Sequence, residues 1–304
     1  MFKSLILIFA FSFTIVVAQE QEPVITPPEF GDYDPQRIED IDLDDYPILP
    51  EVTDHARIIF ERGLEAERNP AMFSKVGDSM TASDYFLTDF GTDDYDLGDF
   101  QELADLLDYI KENSTGSDDT TAFDRTNYAT ALGFSAVSAL DPTWATAEVC
   151  EPNETPLQCE YRVSNSAFAL IMLGTNDVLH FDEATYDYFL RLIIIETINS
   201  DVMPVLHTFP IRPEVPEKTV DFNRILVSIA EDYDIPLVNM AKALEDLPDR
   251  GIDLEDPLHL TVPDEGTVAM FNDTTLQAGY AMRNLVTLQV LDHLLDDLMD
   301  TYSS

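Results

Sequence analysis

The chain has 304 residues, with 16 basic against 59 acidic side chains and a formal net charge of −43 at pH 7. This charge repels phosphate backbones and therefore argues against a nucleic-acid-binding protein. With 45% hydrophobic and 10% aromatic residues, the chain can bury a sizeable core, which excludes a disordered acidic tail. We expect a globular protein with one large domain or two small ones.

Residues 1–18 have the pattern of a secretory signal peptide. Lys3 precedes an almost unbroken apolar run from Leu5 to Val17, and Ala18 ends a small-residue cleavage site. The alternative is an uncleaved membrane anchor, but the run is shorter than the ~20 apolar residues that span a bilayer. We therefore expect a secreted protein, extracellular or periplasmic, without stable membrane insertion after signal cleavage.

Residues 19–50 differ in composition from the rest of the chain. They hold ten acidic residues, six prolines and one basic residue, Arg37. We interpret them as an acidic, proline-rich arm. The arm is either a solvated lead-in whose Tyr46 and neighbouring apolar residues attach to the domain, or a dedicated binding tail. Residues 51–304 are expected to form the domain itself.

The two cysteines, Cys150 and Cys159, lie nine positions apart. This spacing, around two prolines, can be closed as a small surface loop, and a secreted chain can form disulfides. We therefore expect a disulfide between them. Two free thiols are one alternative and a catalytic thiolate is another, but an acidic loop disfavours a thiolate.

Beyond the arm, short apolar runs alternate with longer amphipathic stretches. The elements predicted in chain order are a helix over 52–68, a strand over 73–76, a helix over 100–111, a strand over 167–173, a helix over 184–198, a strand over 202–208, a helix over 222–233, a strand over 235–238 and a helix over 276–298. Strands that alternate with helices at this spacing indicate a parallel sheet with crossover helices. We therefore predict the α/β class, as a three-layer α/β/α fold around a parallel, flavodoxin-like sheet.

Polar motifs follow the predicted strands, where the chemistry of such sheets gathers. Gly77-Asp78-Ser79 follows the first strand, and Gly174-Thr175-Asn176-Asp177 follows the second. Asp256-Pro257-Leu258-His259 lies in the loop before the final helix. Together and in this order, the three motifs resemble those of the SGNH hydrolases, also called GDSL-type esterases and lipases.

The resemblance implies a catalytic triad of Ser79, His259 and Asp256. A serine hydroxyl needs an imidazole to take its proton, and a carboxylate holds that imidazole in the right tautomer. Of the five histidines, only His259 has an acid three residues upstream in a segment that a proline, Pro257, keeps from being helical.

The resemblance also implies an oxyanion hole with three hydrogen-bond donors. These are the backbone N–H of Ser79, the backbone N–H of a glycine and the side-chain amide of Asn176. For the glycine we choose Gly133, because no other glycine lies between Gly116 and Gly174.

Other polar residues near these motifs are predicted to be structural. Asp78 and Asp177 are expected to accept hydrogen bonds from loop backbone. His207 is interpreted as a structural or cleft-lining residue and not as a base, whereas His180 either lines the cleft or lies on the surface.

The sequence departs from the family pattern after Gly133. Residues 141–162 are interpreted as an insertion that stands near the cleft. It carries the only tryptophan, Trp144, which is either a packed anchor or a platform for substrate.

No metal or cofactor is predicted. The acidic run from Asp93 to Asp99 resembles a calcium loop, but no register supplies the oxygen ligands and the glycine of an EF-hand. The sequons at Asn113, Asn153 and Asn272 predict glycans only in a source that glycosylates its secreted proteins.

The sequence thus predicts a secreted serine esterase without a cofactor. Its charge favours acetyl esters of neutral glycans, or small soluble esters, over polyanionic substrates and anionic micelles. The motifs leave the acyl group, the alcohol and the oligomeric state open. The alternative is a catalytically silent protein that keeps the SGNH fold to bind an extracellular glycan.

Overall fold

The computed structural model of the protein describes residues 33–114 and 120–299, so the predicted signal peptide and residues 19–32 of the arm lie outside the described residues. The centre of the fold is a parallel sheet with the strand order β1-β2-β3-β4. The strands are β1 Asn69–Gly77, β2 Ser166–Met172, β3 Met203–His207 and β4 Leu237–Val238. Every residue of β2 is buried, as expected for a strand covered on both faces.

A short bridge extends the sheet beyond β1. Gly77 pairs with Met172 of β2 on one side and, through a parallel bridge, with Thr130 on the other. The Gly77 amide donates to the carbonyl of Ala129 at 3.1 Å. The spatial order is therefore that of a flavodoxin-like sheet in which one edge strand is reduced to a bridge.

Helices cover both faces of the sheet. In chain order they are α1 Pro35–Asp40, α2 Asp54–Glu65, α3 Ser79–Ala82, α4 Ala104–Ser114, α5 Ala136–Leu140, α6 Pro156–Ser164, α7 Asp177–His180, α8 Glu183–Asn199, α9 Pro216–Tyr233, α10 Met240–Leu244 and α11 Gly279–Leu298. Within the described ranges, none of these helices combines the length and the apolar character needed to cross a membrane.

The helices form two layers, so the predicted three-layer α/β/α arrangement is confirmed. On one face, Phe60 of α2 packs on Phe168 of β2 with ring centroids 5.2 Å apart, and α4 and α11 lie on the same side. On the other face, Ser164 of α6 shares a 3.1 Å hydrogen bond with Ser74 of β1, and α5, α8 and α9 complete that layer.

Part of the acidic surface serves to start helices. The side chains of Asp34 and Asp182 accept backbone N–H groups at the N-termini of α1 and α8. Thr53 does the same for α2, accepting from the Ala56 amide at 3.0 Å, which explains why this helix begins at Asp54 and not at residue 52.

The described part of the arm packs along α9. Ile38 of α1 is buried, and Arg37 forms an ion pair with Glu231 at 2.8 Å. The hydroxyl of Tyr46 donates to the same carboxylate at 2.6 Å. From residue 33 onward, the arm is therefore attached to the domain by polar contacts and by several apolar side chains, among which Ile38 and Ile41 are buried.

The predicted disulfide is confirmed, with the Cα atoms of Cys150 and Cys159 5.2 Å apart. Arg162 holds the loop from outside by an ion pair with Glu154 at 2.8 Å. Among the described residues, the potential metal ligands that converge are Cys150, Glu154 and Cys159, and the disulfide uses both thiols.

The interpretation of residues 141–162 as an insertion near the cleft is wrong for its second half. Pro156–Ser164 forms α6, which covers β1 and contributes buried side chains such as Leu157 and Tyr161 to the core. This helix has only nine residues and directly follows the disulfide loop, so its apolar spacing is too short to stand out in the sequence. Trp144 precedes α6 in the chain and is half exposed. Its ring is edge-on to that of Phe134, with the ring centroids 5.7 Å apart.

Candidate active site

Ser79 is the first residue of a short helix at the carboxyl edge of the sheet. β1 ends at Gly77, and the Asp78 carboxylate caps α3 by accepting the Met80 amide at 3.0 Å. A Cβ at Gly77 would lie 2.3 Å from the Thr81 hydroxyl, so only glycine fits at this position. The turn thus presents the Ser79 side chain, which is partly exposed, at the strand end.

His259 and Asp256 form a hydrogen-bonded pair in the loop before α11. The imidazole Nδ1 lies 2.7 Å from Oδ2 of Asp256, and the His259 amide donates to the Asp256 carbonyl at 2.9 Å. An antiparallel bridge between Ile252 and Leu260 closes the base of this loop. Because Asp256 engages Nδ1, Nε2 is the nitrogen that remains to accept a proton.

Ser79 and His259 line one open cleft of about 260 Å³, together with Ala82, Ser83, Asp84 and Leu132. Within the described residues, the imidazole bonds to Asp256 and no hydrogen bond joins it to the Ser79 hydroxyl. Catalytic hydrogen bonds of this kind are often long without substrate and shorten when it binds. The predicted nucleophile and base therefore reach the same cleft.

The two other predicted oxyanion donors are brought together by one contact. The Asn176 side-chain amide donates to the carbonyl of Phe134 at 2.8 Å, directly beside Gly133. Gly133 has a φ of +73°, and a Cβ added to it would meet no atom within 4 Å. The preceding Leu132 lines the cleft with Ser79. The left-handed backbone explains why a glycine stands here.

We expect Asn176→Ala to lower kcat for p-nitrophenyl acetate by about 10²–10³-fold, the effect of removing one oxyanion donor. KM should change little, because this contact strengthens as the oxyanion forms. Steady-state kinetics on enzyme with an unchanged circular dichroism spectrum would measure the effect. A folded variant with the kcat of the wild type would exclude Asn176 from the oxyanion hole.

Asp78 and Asp177 are buried and bond to loop backbone, as predicted. Asp177 accepts the Ala136 amide at 2.8 Å, which ties α7 to α5. Burial raises the pKa of Asp78 to about 6 and that of Asp177 to about 7, and the nearby Asp78 carboxylate also raises the pKa of Asp177. Burial outweighs the backbone hydrogen bonds that favour the charged forms.

This elevated pKa predicts that Asp177 destabilises the fold as the pH rises. Between the ordinary pKa of 3.8 and the folded pKa of about 7, the folded state holds a proton that the unfolded state has lost. The free energy of unfolding therefore falls with rising pH in this window, by about 1.4 kcal/mol for each unit of pKa difference. Asp177→Asn keeps the acceptor for Ala136 but cannot ionise. Urea unfolding at pH 4.5 and 7 should show a smaller loss of stability in this variant, whereas equal losses would contradict the account.

His207 and His180 are not among the residues that line the cleft. His207 is buried, with Nδ1 3.1 Å from the Val205 carbonyl, and burial together with the positive charge of Arg283 lowers its pKa to about 3. It therefore stays neutral and structural. His180 lies exposed at the end of α7.

The sequence motifs do not indicate the four other cleft residues, Ala82, Ser83, Asp84 and Leu132. Leu132 is 79% exposed, and Asp84 presents its carboxylate to solvent. Their closeness in sequence to Gly133 and Ser79 was the available signal, since residues beside oxyanion donors border the substrate.

No family model matches the sequence, and no curated protein matches it. Several solved structures match this chain at low sequence identity and with TM-scores below 0.5. The esterase EstA from Pseudoalteromonas sp. is 17% identical, with 74% of this chain and 99% of EstA covered and a TM-score of 0.46. A GDSL-like lipase from Bacteroides thetaiotaomicron is 14% identical, with 81% and 100% covered and a TM-score of 0.44. The acetylxylan esterase Axe2 from Geobacillus stearothermophilus is 15% identical, with 72% and 93% covered and a TM-score of 0.42. The chain is thus similar, at low identity, to solved esterases and lipases that include a GDSL-like lipase.

Proposed function

We propose that this protein is a serine ester hydrolase that acts without a metal or cofactor. The observation that carries the proposal is that Ser79 and His259 line one cleft while Asp256 holds Nδ1 of the imidazole at 2.7 Å. This is the relation that a serine nucleophile, its general base and the residue that orients the base must have.

In the acylation step, Nε2 of His259 takes the hydroxyl proton as Oγ of Ser79 forms a bond to the ester carbonyl carbon. The carbonyl oxygen becomes an oxyanion, which the backbone N–H groups of Ser79 and Gly133 and the amide of Asn176 stabilise. When the C–O bond to the alcohol breaks, the imidazolium returns the proton to the leaving oxygen. An acyl-serine remains.

In the deacylation step, His259 takes a proton from water as the water oxygen attacks the acyl carbon. The tetrahedral intermediate uses the same three donors, and the imidazolium then returns the proton to Oγ of Ser79. The carboxylic acid leaves and the enzyme is restored. Asp256 stabilises the imidazolium in both steps without taking its proton.

The cleft and the charge favour an uncharged, small ester. The exposed carboxylate of Asp84 lines the cleft, and the whole chain carries a net charge of −43, so anionic substrates are repelled. The exposed side chain of Leu132 offers a short apolar contact for an acyl group. Within this proposal, the substrates are acetyl esters of neutral glycans or small soluble esters.

Secretion is part of the proposal. It is supported by the apolar run and cleavage site of residues 1–18 and by the disulfide, which is typical of oxidising compartments. The mature protein would then consist of the acidic arm of residues 19–50 and one hydrolase domain over residues 51–304.

The test is hydrolysis of p-nitrophenyl esters from acetyl to palmitoyl by the mature chain, with Ser79→Ala as the control. We expect activity that is highest on acetyl and falls with acyl length, and that is absent in the variant. Activity highest on long chains would contradict the substrate assignment. Equal activity of wild type and variant would contradict the assignment of Ser79 as the nucleophile. A wild type inert on every ester would favour the silent glycan-binding alternative.

A further inference from the structure

A buried arginine of the C-terminal helix reaches the short helix that carries Ser79. Arg283 of α11 is 2% exposed. One terminal nitrogen of its guanidinium donates to the Met80 carbonyl at 2.8 Å, and the other donates to the Thr81 hydroxyl at 2.9 Å. The guanidinium carbon lies 3.7 Å from the ring centroid of Phe86, which stacks below it.

These contacts add to the few hydrogen bonds that α3 has of its own, which are the Asp78 cap and the bonds from the Thr81 and Ala82 amides to the Asp78 carbonyl. α3 has four residues, too few for its terminal carbonyl groups to find partners within the helix. The guanidinium supplies a donor to one of them, that of Met80. Its second donor fixes Thr81, whose hydroxyl packs directly on the Cα of Gly77 at the start of the nucleophile turn.

The position of this cation is costly. Burial lowers the pKa of Arg283 to about 10, against the smaller opposing effects of Tyr280 and the Asp78 carboxylate. Among the described residues, no carboxylate lies within ion-pair distance of the guanidinium. Its Nε is buried without a hydrogen-bond partner. A buried guanidinium without an ion pair lowers the free energy of unfolding, so an apolar side chain would stabilise the core more. The two bonds to α3 are what the arginine adds.

We propose that Arg283 is a positioning residue for the nucleophile, an inference that rests on the proposed function. Acting through Met80 and Thr81, it fixes the turn from Gly77 to Ser79. The Ser79 hydroxyl then keeps its direction toward His259, and the Ser79 N–H keeps its direction toward the oxyanion. Displacement of a reacting group by about 1 Å can lower the rate about 10²-fold.

The test compares Arg283→Met, Thr81→Val and the double variant by kcat and KM per active site, titrated with a fluorophosphonate. We expect Thr81→Val to lower kcat about tenfold and Arg283→Met about 10²-fold, with KM within about twofold of the wild type. The double variant should be no slower than Arg283→Met alone, because Thr81 acts with Arg283. Arg283→Lys keeps the charge but not the two-pronged donor geometry, so its kcat should lie between those of the wild type and Arg283→Met.

Arg191→Lys is the matched control. Arg191 is an equally buried arginine of α8 that pairs with Asp187 at 2.8 Å and Asp232 at 2.7 Å, away from α3. The Arg191→Lys variant should be less stable than the wild type and keep the wild-type kcat per titrated site.

The outcomes separate positioning from a merely structural role. If Arg283→Met lowers the melting temperature but keeps the wild-type kcat per titrated site, the inference is overturned. If that variant does not fold, Thr81→Val decides, because it leaves the cation and its contact with Phe86 in place. A wild-type chain that neither hydrolyses esters nor reacts with the fluorophosphonate would instead overturn the proposed function.

Discussion

His259→Ala is expected to lower kcat for p-nitrophenyl acetate by about 10⁶-fold, as removal of a triad base does in serine hydrolases. Without the imidazole, the cleft loses the group that takes the proton from Ser79 during attack and returns it to the leaving alcohol. Because serine and histidine act as one unit, the Ser79→Ala/His259→Ala double variant should be no slower than either single variant.

Stopped-flow and steady-state kinetics on folded protein would measure this loss of kcat. The control is His180→Ala, which removes an exposed histidine at the end of α7 and should leave kcat unchanged. A His259→Ala variant within tenfold of the wild type would show that another group is the base. Additive losses in the double variant would show that the two residues do not act together.

Asp256→Asn should lower kcat by about 10⁴-fold, the effect of this exchange in a serine triad. The asparagine keeps the size of the side chain, but its amide offers Nδ1 a donor as well as an acceptor. It therefore no longer holds the tautomer in which Nε2 can accept the serine proton, and it cannot stabilise the imidazolium. KM should change little, because Asp256 does not contact the ester in the ground state.

Asp253→Asn is the matched control for this prediction. Asp253 lies in the same loop, where its side chain accepts the Glu255 amide at 2.9 Å, so the exchange removes one charge without touching the imidazole. We expect its kcat to stay within about twofold of the wild type, as for surface substitutions. Similar losses in both variants would mean that the loop needs its charge, and that Asp256 has no special role.

The sheet could be predicted from sequence because buried parallel strands are short, continuous apolar runs. The run over 167–173 became β2, Ser166–Met172, within one residue at each end. The starts of the helices leave a weaker signal in the sequence than the strands do. α9 begins at Pro216 and not at residue 222, since residues 216–221 are mostly polar and carry no apolar period. The bridge at Thr130 is a single pair of residues and leaves no pattern at all.

At the site, the local relations could be predicted and the distant ones could not. Asp256 and His259 are three residues apart, and Pro257 already excludes a helix between them, so their hydrogen bond has a sequence signal. The contact between Arg283 and Met80 joins residues 203 positions apart. An arginine within a helical pattern looks the same in sequence whether it faces solvent or the nucleophile turn.

The most direct test of the account is the reaction of the mature chain with a fluorophosphonate, followed by intact mass and peptide mapping. Only an activated serine forms the covalent adduct. We expect one adduct per chain, located on Ser79, absent from Ser79→Ala and formed far more slowly by His259→Ala. A chain that stays unmodified, or an adduct on a different serine, would contradict the assignment of Ser79 as the nucleophile.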